Sequence, residues 1–410
     1  MKLLFHGAAL AGCLILTVAA QSPGWSQWRG PSRDGTVRSF TPPGSWPQRP
    51  TRVWTVEAGI GHSSPVVSGD RVFLFSRVGE QEAMTAFDLA SGKQIWRQAY
   101  AAPYQMNPAA TGHGKGPKST PTVHDGRVYA LGISGILSAF DAASGRVLWQ
   151  HDFTKEFRQM APDFGASMSP IADGRQVIAH VGGAGGGALM AFDAASGAVR
   201  WAWKGDGPGY ASPVIATVDG IRQLVTQTQS HIVAISPENG RELWRQSFTT
   251  DYDQNIVTPL IMGDTLIYGG LQKPTVAARI TRAGESWTLV ERWRNPDVPM
   301  YMSSPVAKDG VIYGFTHRNR GQLFAVDAAS GQTLWVSPPR QGENASLAVA
   351  GDVLIATTTE GALMVMRQGR SAYGLVRSYT VAESAVWAHA GFAPSGILIK
   401  DATNVSLWKF

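Results

Sequence analysis

The sequence predicts an all-β fold, an eight-bladed β-propeller of four-stranded antiparallel blades whose last blade is closed by an N-terminal strand. Three observations predict it. An eleven-residue pattern ending in tryptophan recurs along the chain, a Ser-Pro or Thr-Pro element precedes its copies, and tryptophans recur at intervals of 42 to 53 residues. Because propeller blades take about 40–50 residues each, this period indicates a repeat fold rather than several separate domains.

The recurring pattern is Ala-x-Asp-x-x-Ser-Gly-x-x-x-Trp, with good copies beginning at Ala86, Ala139, Ala191 and Ala325 and a degenerate copy at Ala234. The Asp and the Ser-Gly pair supply turn chemistry, and the Trp falls in the fourth, outer strand of each blade. We expect each indole to be buried between blades with its N–H on a backbone carbonyl. The predicted structural tryptophans are Trp54, Trp96, Trp149, Trp201, Trp244, Trp293 and Trp335.

The Ser-Pro or Thr-Pro elements mark the first, innermost strand of each module. They begin at Ser63, Ser119, Ser169, Ser212, Thr258 and Ser303, with weaker versions at Ala345 and near Ala393. The count of modules is therefore eight.

Closure of the ring follows from counting outer strands. The last module ends with a strand at Val405 to Phe410 and lacks an outer strand of its own, which Arg52 to Val56 can supply. Pairing the two ends in one blade leaves no open sheet edge. We therefore predict a signal peptide over residues 1–20, an N-terminal extension over 21–51 and the propeller over 52–410.

Composition and the first residues indicate an exported protein. Hydrophobic residues make up 44% of the 410 residues and charged residues 16%, which is typical of a chain with a large core. Lys2, an apolar run and Val18-Ala19-Ala20 resemble a secretory signal, which predicts a periplasmic or secreted protein with no transmembrane span. Leu10-Ala11-Gly12-Cys13 also resembles a lipobox, so lipidation of Cys13 stays open as the alternative. The net charge of +6 comes from scattered basic residues, which predicts no nucleic-acid binding.

The eleven-residue pattern resembles the tryptophan-docking motif of the pyrroloquinoline-quinone (PQQ) repeat propellers, over residues 53–410. Trp28-Arg29-Gly30-Pro31 and Arg33-Asp34-Gly35 also resemble the opening of bacterial PQQ-like repeat proteins. The resemblance implies two possible functions, since the superfamily contains PQQ-dependent alcohol and sugar dehydrogenases and the propeller lipoprotein of the outer-membrane assembly machinery. Fold alone does not choose between them.

A quinoprotein needs Ca²⁺, which takes six to eight oxygen ligands. The best acidic candidates are Asp251, Asp253 and Asn255, with Glu343-Asn344 as a second set, and a solvated loop is the competing interpretation of both. The run from His113 to Lys118 has the composition of an anion site or of an exposed basic loop. Because the structural repeat is well preserved and cofactor chemistry is not evident, no catalytic residue, metal ligand or cofactor is expected; PQQ with calcium is the alternative.

The predicted binding site is the funnel mouth, formed where the chain enters the innermost strands. Its predicted residues precede the Ser-Pro elements: His62, Lys118, Ser167, Tyr210, Asn255, Met302, Asn344 and His389. Different side chains on a repeating scaffold are typical of a specialised binding surface. We expect a monomeric binding or scaffold protein of the cell envelope that holds a protein, peptide or saccharide, with a quinoprotein dehydrogenase as the alternative.

Overall fold

The structure is a computed structural model that describes residues 24–157, 161–183 and 185–410. It is an eight-bladed β-propeller of four-stranded antiparallel blades, which confirms the predicted fold class. The predicted signal peptide and Cys13 lie outside the described residues. Each blade alternates turn residues with apolar strands, and the buried apolar faces of neighbouring blades pack against each other around the ring.

The first four blades account for the residues between 66 and 247. From the channel outward, their strands are Val66–Ser68, Arg71–Val78, Gln81–Asp88 and Gln94–Ala101 in blade 1; Thr122–His124, Arg127–Leu131, Ile136–Asp141 and Val147–Asp152 in blade 2; Ile171–Asp173, Gln176–Gly183, Gly186–Asp193 and Val199–Trp203 in blade 3; and Val214–Val218, Ile221–Gln227, His231–Ile235 and Glu242–Ser247 in blade 4.

The remaining blades complete the ring. Their strands are Leu260–Met262, Thr265–Gly270, Lys273–Ala283 and Ser286–Asn295 in blade 5; Val306–Lys308, Val311–Thr316, Gln322–Asp327 and Thr333–Val336 in blade 6; Ala345–Ala350, Val353–Thr358, Ala362–Arg367 and Leu375–Thr380 in blade 7; and Gly391–Ala393, Gly396–Lys400, Asn404–Lys409 and Thr51–Glu57 in blade 8. Short 3-10 helices lie at Pro108–His113, Asp251–Asp253 and Arg318–Arg320. Among the described residues, no helix is long and apolar enough to cross a membrane.

The closing strand has the predicted position. Thr51–Glu57 pairs antiparallel with Asn404–Lys409, with Trp54 opposite Leu407 and Thr55 opposite Ser406. The hydroxyls of that second pair are hydrogen-bonded at 2.8 Å. Both ends of the propeller chain therefore share one blade, and the ring closes through this pairing.

The tryptophan pattern acts between blades rather than within one. The ring of Trp149 in blade 2 lies against Gly197 of blade 3, where a Cβ would come within 2.7 Å of the indole. Its Nε1–H donates to the carbonyl of Ala194 at 3.2 Å. Trp54, Trp96, Trp201, Trp293 and Trp335 also donate to backbone carbonyls of the following blade, whereas Trp244 donates to the side chain of Gln223. Trp96 is half-buried and the other six are buried. Gly at the turn thus provides the flat surface on which the preceding blade's indole rests.

The hydroxyls of the Ser-Pro and Thr-Pro elements link neighbouring inner strands. The backbone N–H of Thr120 in blade 2 donates to Ser169 Oγ of blade 3 at 3.0 Å, and Ser169 N–H donates in turn to Ser212 Oγ of blade 4 at 3.0 Å. The same step is repeated from His389 to Ser64, Ser64 to Thr120, Ser212 to Thr258 and Thr258 to Ser304. The Ser or Thr before each of these prolines therefore has two roles: it leads into the inner strand, and its hydroxyl accepts a hydrogen bond from a backbone N–H of the neighbouring blade.

Residues 25–39, here called the axial segment, occupy the central channel. Arg33 is buried, and its guanidinium donates to carbonyls that enter the inner strands of two blades. Thr36–Val37 pairs in parallel with Val349 and Ala350 on the inner edge of blade 7. Contacts to all eight blades join, in order, Trp25 O with Val67 N, Ser26 O with Val123 N, Arg33 with Pro170 O, Arg33 with Pro213 O, Trp28 Nε1 with Thr258 Oγ1, Arg29 with Pro305 O, Gly35 O with Val349 N, and Ser39 Oγ with Phe392 O.

Candidate functional site

One cavity of about 170 Å³ lies where the chain enters the inner strands, at one end of the channel. We call it the mouth cavity. Trp28 of the axial segment contributes to its wall and packs against His389, with ring centroids 4.1 Å apart and the ring planes tilted by 45°. The lining residues are Trp28, His62, His113, Lys118, Phe164, Ser167, Tyr210, Ser212, Gln254, Ile256, Tyr301, Met302, Ser304, Asn344, Trp387 and His389.

Seven of the eight residues predicted for the funnel mouth line this cavity. They are His62, Lys118, Ser167, Tyr210, Met302, Asn344 and His389. They come from seven different blade entries, because the residue before each inner strand recurs at the same place around the ring. That these residues bind a ligand stays a prediction.

Asn255 does not line the cavity, so its predicted placement needs correction. Its side chain is fully buried, and its Nδ2–H groups donate to the carbonyls of Thr228 and Phe248, each at 2.8 Å. The neighbouring residues Gln254 and Ile256 line the cavity instead. Asn255 therefore satisfies loop carbonyls that would otherwise be buried without a partner.

Several aromatic side chains in the cavity were not predicted. His113 lies with its ring centroid 5.4 Å from that of Trp387, and Phe164 lies 6.0 Å from Tyr210. Tyr301 donates its hydroxyl to Gln254 Oε1 at 2.6 Å. Most of these residues lie in irregular loops outside the recurring element, where the repeat provides no positional signal.

Lys118 is held inside the cavity wall. Its Nζ donates to the carbonyl of Phe164 at 2.6 Å. Nearby, His62 Nε2–H donates to the carbonyl of His113 at 2.8 Å. In contrast, Lys115 of the same loop pairs with the exposed Glu80 at 3.6 Å and does not line the cavity. The basic run therefore divides into one cavity cation and one surface cation.

Burial determines the charge states in the cavity. Desolvation lowers the pKa of Lys118 to about 8, so the amine stays largely protonated at pH 7. Desolvation, with the nearby charge of Lys118, lowers the pKa of His62 to about 4 and also lowers that of His113. Burial and then the charge of Arg29 lower the pKa of His389 to about 3. The three imidazoles are thus neutral at pH 7, and Lys118 carries the charge of the lining.

The acidic residues considered as calcium ligands lie outside the lining of the mouth cavity. Asp251 and Asp253 are exposed on a 3-10 helix, where Asp253 accepts a hydrogen bond from Gln229 at 2.8 Å. Asn344 faces the cavity, but Glu343 is outside its lining. Over the described ranges, no group of three or more His, Cys, Asp or Glu side chains is placed to hold a metal ion.

A protein-family model described as outer membrane protein assembly factor BamB matches residues 33–202 and 80–337 of the chain. The chain is 25% identical over 297 residues to the assembly factor BamB of Yersinia pestis, an alignment covering 70% of this chain and 60% of that relative. It is also 25% identical over 333 residues to a polyvinylalcohol dehydrogenase of a Pseudomonas species, covering 62% of this chain and 50% of the relative. The chain thus spans about half to two-thirds of the length of these relatives.

Two solved structures share the fold at 14% identity. BamB from Moraxella catarrhalis matches with a TM-score of 0.61, covering 88% of this chain and 98% of that one. The quinohemoprotein alcohol dehydrogenase of Comamonas testosteroni matches with a TM-score of 0.65, covering 96% and 81%. The propeller alone is common to both, so the decision on family comes from the family model, which matches most of the chain. The chain belongs to the family described as outer membrane protein assembly factor BamB.

Proposed function

We propose that this chain is a non-catalytic binding protein of the bacterial cell envelope, which holds a protein partner at the mouth cavity. Membership of the BamB family supports a role in assembly, because relatives that are 24–25% identical to it over 261–297 aligned residues carry that description. The predicted export signal supports an envelope location. The observation that carries the proposal is the cavity itself, in which specialised side chains converge from a repeating scaffold.

Some side chains at the mouth link neighbouring entry loops, as Tyr301 does through Gln254, and they also keep faces open to the cavity. Neighbouring inner strands are already joined by the Ser and Thr hydroxyls, and neighbouring blades by the tryptophans. Tyr210, Tyr301 and Trp387 are only partly buried and lie on loops outside those contacts. Aromatic residues such as Tyr and Trp are enriched at protein–protein interfaces.

The dehydrogenase alternative is a weaker fit to the cavity. Quinoproteins of this fold place Ca²⁺ against the quinone, and the ion takes carboxylate and amide oxygens. The mouth cavity has no Asp or Glu in its described lining and presents the cation Lys118 instead. These residues do not fit the metal and quinone pair, and we assign no redox step to them.

Site-specific photo-crosslinking in the producing cell tests the binding role. A photoreactive amino acid at Met302 lies in the mouth cavity, and one at Val199, 53% exposed on an outer strand, is the matched control. We expect a discrete crosslinked protein from the first position that weakens with Tyr210→Ala. Crosslinks that form only from Val199 would place the partner on the outer strands and overturn the proposal.

A dye-linked assay tests the enzyme alternative directly. The purified chain with PQQ and Ca²⁺ should reduce no dye above background with alcohols or aldoses. Robust turnover of any such substrate would make the chain a quinoprotein.

A further inference from the structure

The mouth cavity has an electrostatic bias toward anions. Its described lining contains Lys118 and no carboxylate. Buried Arg29 lies close enough to His389 to lower the pKa of that imidazole, and buried Lys400 acts on His62 in the same way. Asp401 offsets part of the Lys400 charge, and carboxylates outside the lining act on two lining residues: Asp163 and Asp253 on Tyr210, and Glu343 on Tyr301. Because all three cations lie in poorly solvated surroundings, their field is screened much less than that of surface lysines.

Lys118 retains capacity for a ligand. An ammonium has three N–H donors, and within the described chain Nζ makes one hydrogen bond, to the carbonyl of Phe164. The two histidines on which its charge acts, His62 and His113, have lowered pKa values and are largely neutral at pH 7. An anionic oxygen would therefore meet available donors and recover part of the free energy that burial of the amine costs.

The size of the cavity limits what else the ligand carries. An engineered protein cavity of about 150 Å³ admits benzene, so 170 Å³ accommodates a group of one ring. Aromatic walls surround that space, with Trp387 next to His62 and His113 and with Phe164 next to Tyr210. Offset or edge-on ring contacts stabilise an aromatic guest more than an aliphatic one of equal area.

We propose that the mouth cavity binds a carboxylate carried on a single ring-sized group, with the carboxylate at Lys118 and the ring among Trp28, Phe164 and Trp387. This inference rests on the proposed function, since it names the ligand that the same site takes. Two sources share this chemistry: the C-terminal residue of a protein, such as phenylalanine, and a free arylcarboxylic acid.

Calorimetric titration with acid and amide pairs tests the inference. The probes are acetyl-Gly-Gly-Phe and phenylacetate, each compared with its C-terminal or carboxyl amide, which has the same ring and no charge. We expect each acid to bind at least tenfold more tightly than its amide, because a hydrogen bond to a charged group is stronger than one to a neutral group. The source is a protein terminus if the peptide acid binds tenfold better than phenylacetate, and a free acid if the order is reversed. Equal affinity of acid and amide overturns the inference.

Two lysine variants test whether Lys118 provides the charge that binds the carboxylate. Lys118→Gln keeps a donor for the Phe164 carbonyl and removes the charge, so it should reduce acid affinity about tenfold and leave amide affinity unchanged. Lys115→Gln, in the same loop but outside the lining, should change neither. Since burial of a charge is costly, Lys118→Gln should melt no lower than the wild type, which separates lost binding from lost folding. Reduced acid affinity in Lys115→Gln and not in Lys118→Gln would also overturn the inference.

The two proposals fail in different ways. A partner that crosslinks through Met302, together with equal binding of acid and amide, removes the carboxylate inference and leaves the binding role. Acid-selective binding with no crosslinked partner leaves the cavity as a small-molecule site and removes the protein-binding role.

Discussion

Lys118 brings a titratable cation into a cavity whose imidazoles are already neutral. With its pKa lowered to about 8, the amine loses its proton as the pH rises from 7 to 9. A carboxylate prefers the protonated amine, so we predict that acetyl-Gly-Gly-Phe binds with constant affinity between pH 6 and 7 and with falling affinity above about 8. His62 and His389, with pKa values lowered to about 4 and about 3, do not titrate in this window, and burial lowers the pKa of His113 as well.

Lys400 is a neighbouring group whose titration complicates this measurement. Its pKa is also lowered to about 8 by burial, and it acts electrostatically on His62. The Lys118→Gln variant is therefore the control, and its residual affinity should be nearly flat across the same pH range. A full pH dependence that persists in this variant would assign the effect to Lys400 instead.

Trp149 provides the residue-scale test of blade packing. The indole is 9% exposed, lies on Gly197 and donates its N–H to Ala194. We predict that Trp149→Ala lowers the free energy of unfolding by about 3–5 kcal/mol, through lost burial and a cavity. Urea denaturation measures the change. As the control, Tyr252→Asn removes a 78% exposed ring at a positive φ that Asn tolerates, and should shift stability by about 0.5 kcal/mol or less. An unchanged urea midpoint for Trp149→Ala would contradict the packing role.

The site residues show what sequence can and cannot predict at this scale. His62 and Lys118 were located because each precedes a recurring Ser-Pro element at a fixed offset. Asn255 stands four residues before its proline, Pro259, whereas His62 and Lys118 stand three before theirs. Ile256 has the shared offset, and it lines the cavity. The repeat therefore indicates the lining position in this blade too, whereas the irregular loops that carry Phe164 and Trp387 have no repeat from which their placement could be predicted.

At the scale of the element, closure rests on the pairing of Thr51–Glu57 with Asn404–Lys409. Thr55 and Ser406 face each other across it, with their hydroxyl oxygens 2.8 Å apart. In a chain with Cys13→Ser, we predict that Thr55→Cys with Ser406→Cys oxidises in the folded state and raises the free energy of unfolding by about 2–4 kcal/mol. The reduced double variant is the control, and the free thiol content reports formation. Failure of the folded protein to form this bond would refute the register of the closing strand.

The closing strand was predictable because a ring without an edge needs an equal number of strands in every blade. The axial segment was not predictable, although the stretch from Trp28 to Gly35 resembles the opening of PQQ-like repeat proteins. Its contacts join residues at very different separations in sequence: 42 positions between Trp25 and Val67, 89 between Arg33 and Thr122, and 353 between Ser39 and Phe392. Such contacts do not recur with a period along the chain. Two arginines in a short polar segment are normally expected on the surface, and only the structure shows the carbonyl acceptors that allow them to be buried.

For the molecule as a whole, the axial segment connects the inner strands of all eight blades. Arg29 and Arg33 are almost inaccessible, whereas Arg282 at the tip of a blade 5 hairpin and Lys155 are exposed. We predict that limited trypsin digestion of the native protein leaves Arg29 and Arg33 uncut while it cuts at the exposed positions, since proteolysis needs accessible backbone. Mass spectrometry of the early fragments provides the measurement. Early cleavage after Arg29 or Arg33 would mean that the segment leaves the channel in solution.

The same segment imposes an order in time. The ribosome makes residues 25–39 before the inner strands that surround them. Among the strands it makes Asn404–Lys409, the partner of Thr51–Glu57, last. The axial segment therefore exists throughout synthesis without a closed ring of blades around it. A chain interrupted before Asn404 lacks the strand that pairs with Thr51–Glu57, so its ring cannot close and residues 25–39 are not fully enclosed. Premature termination should therefore yield protein that proteases degrade rather than a shortened propeller.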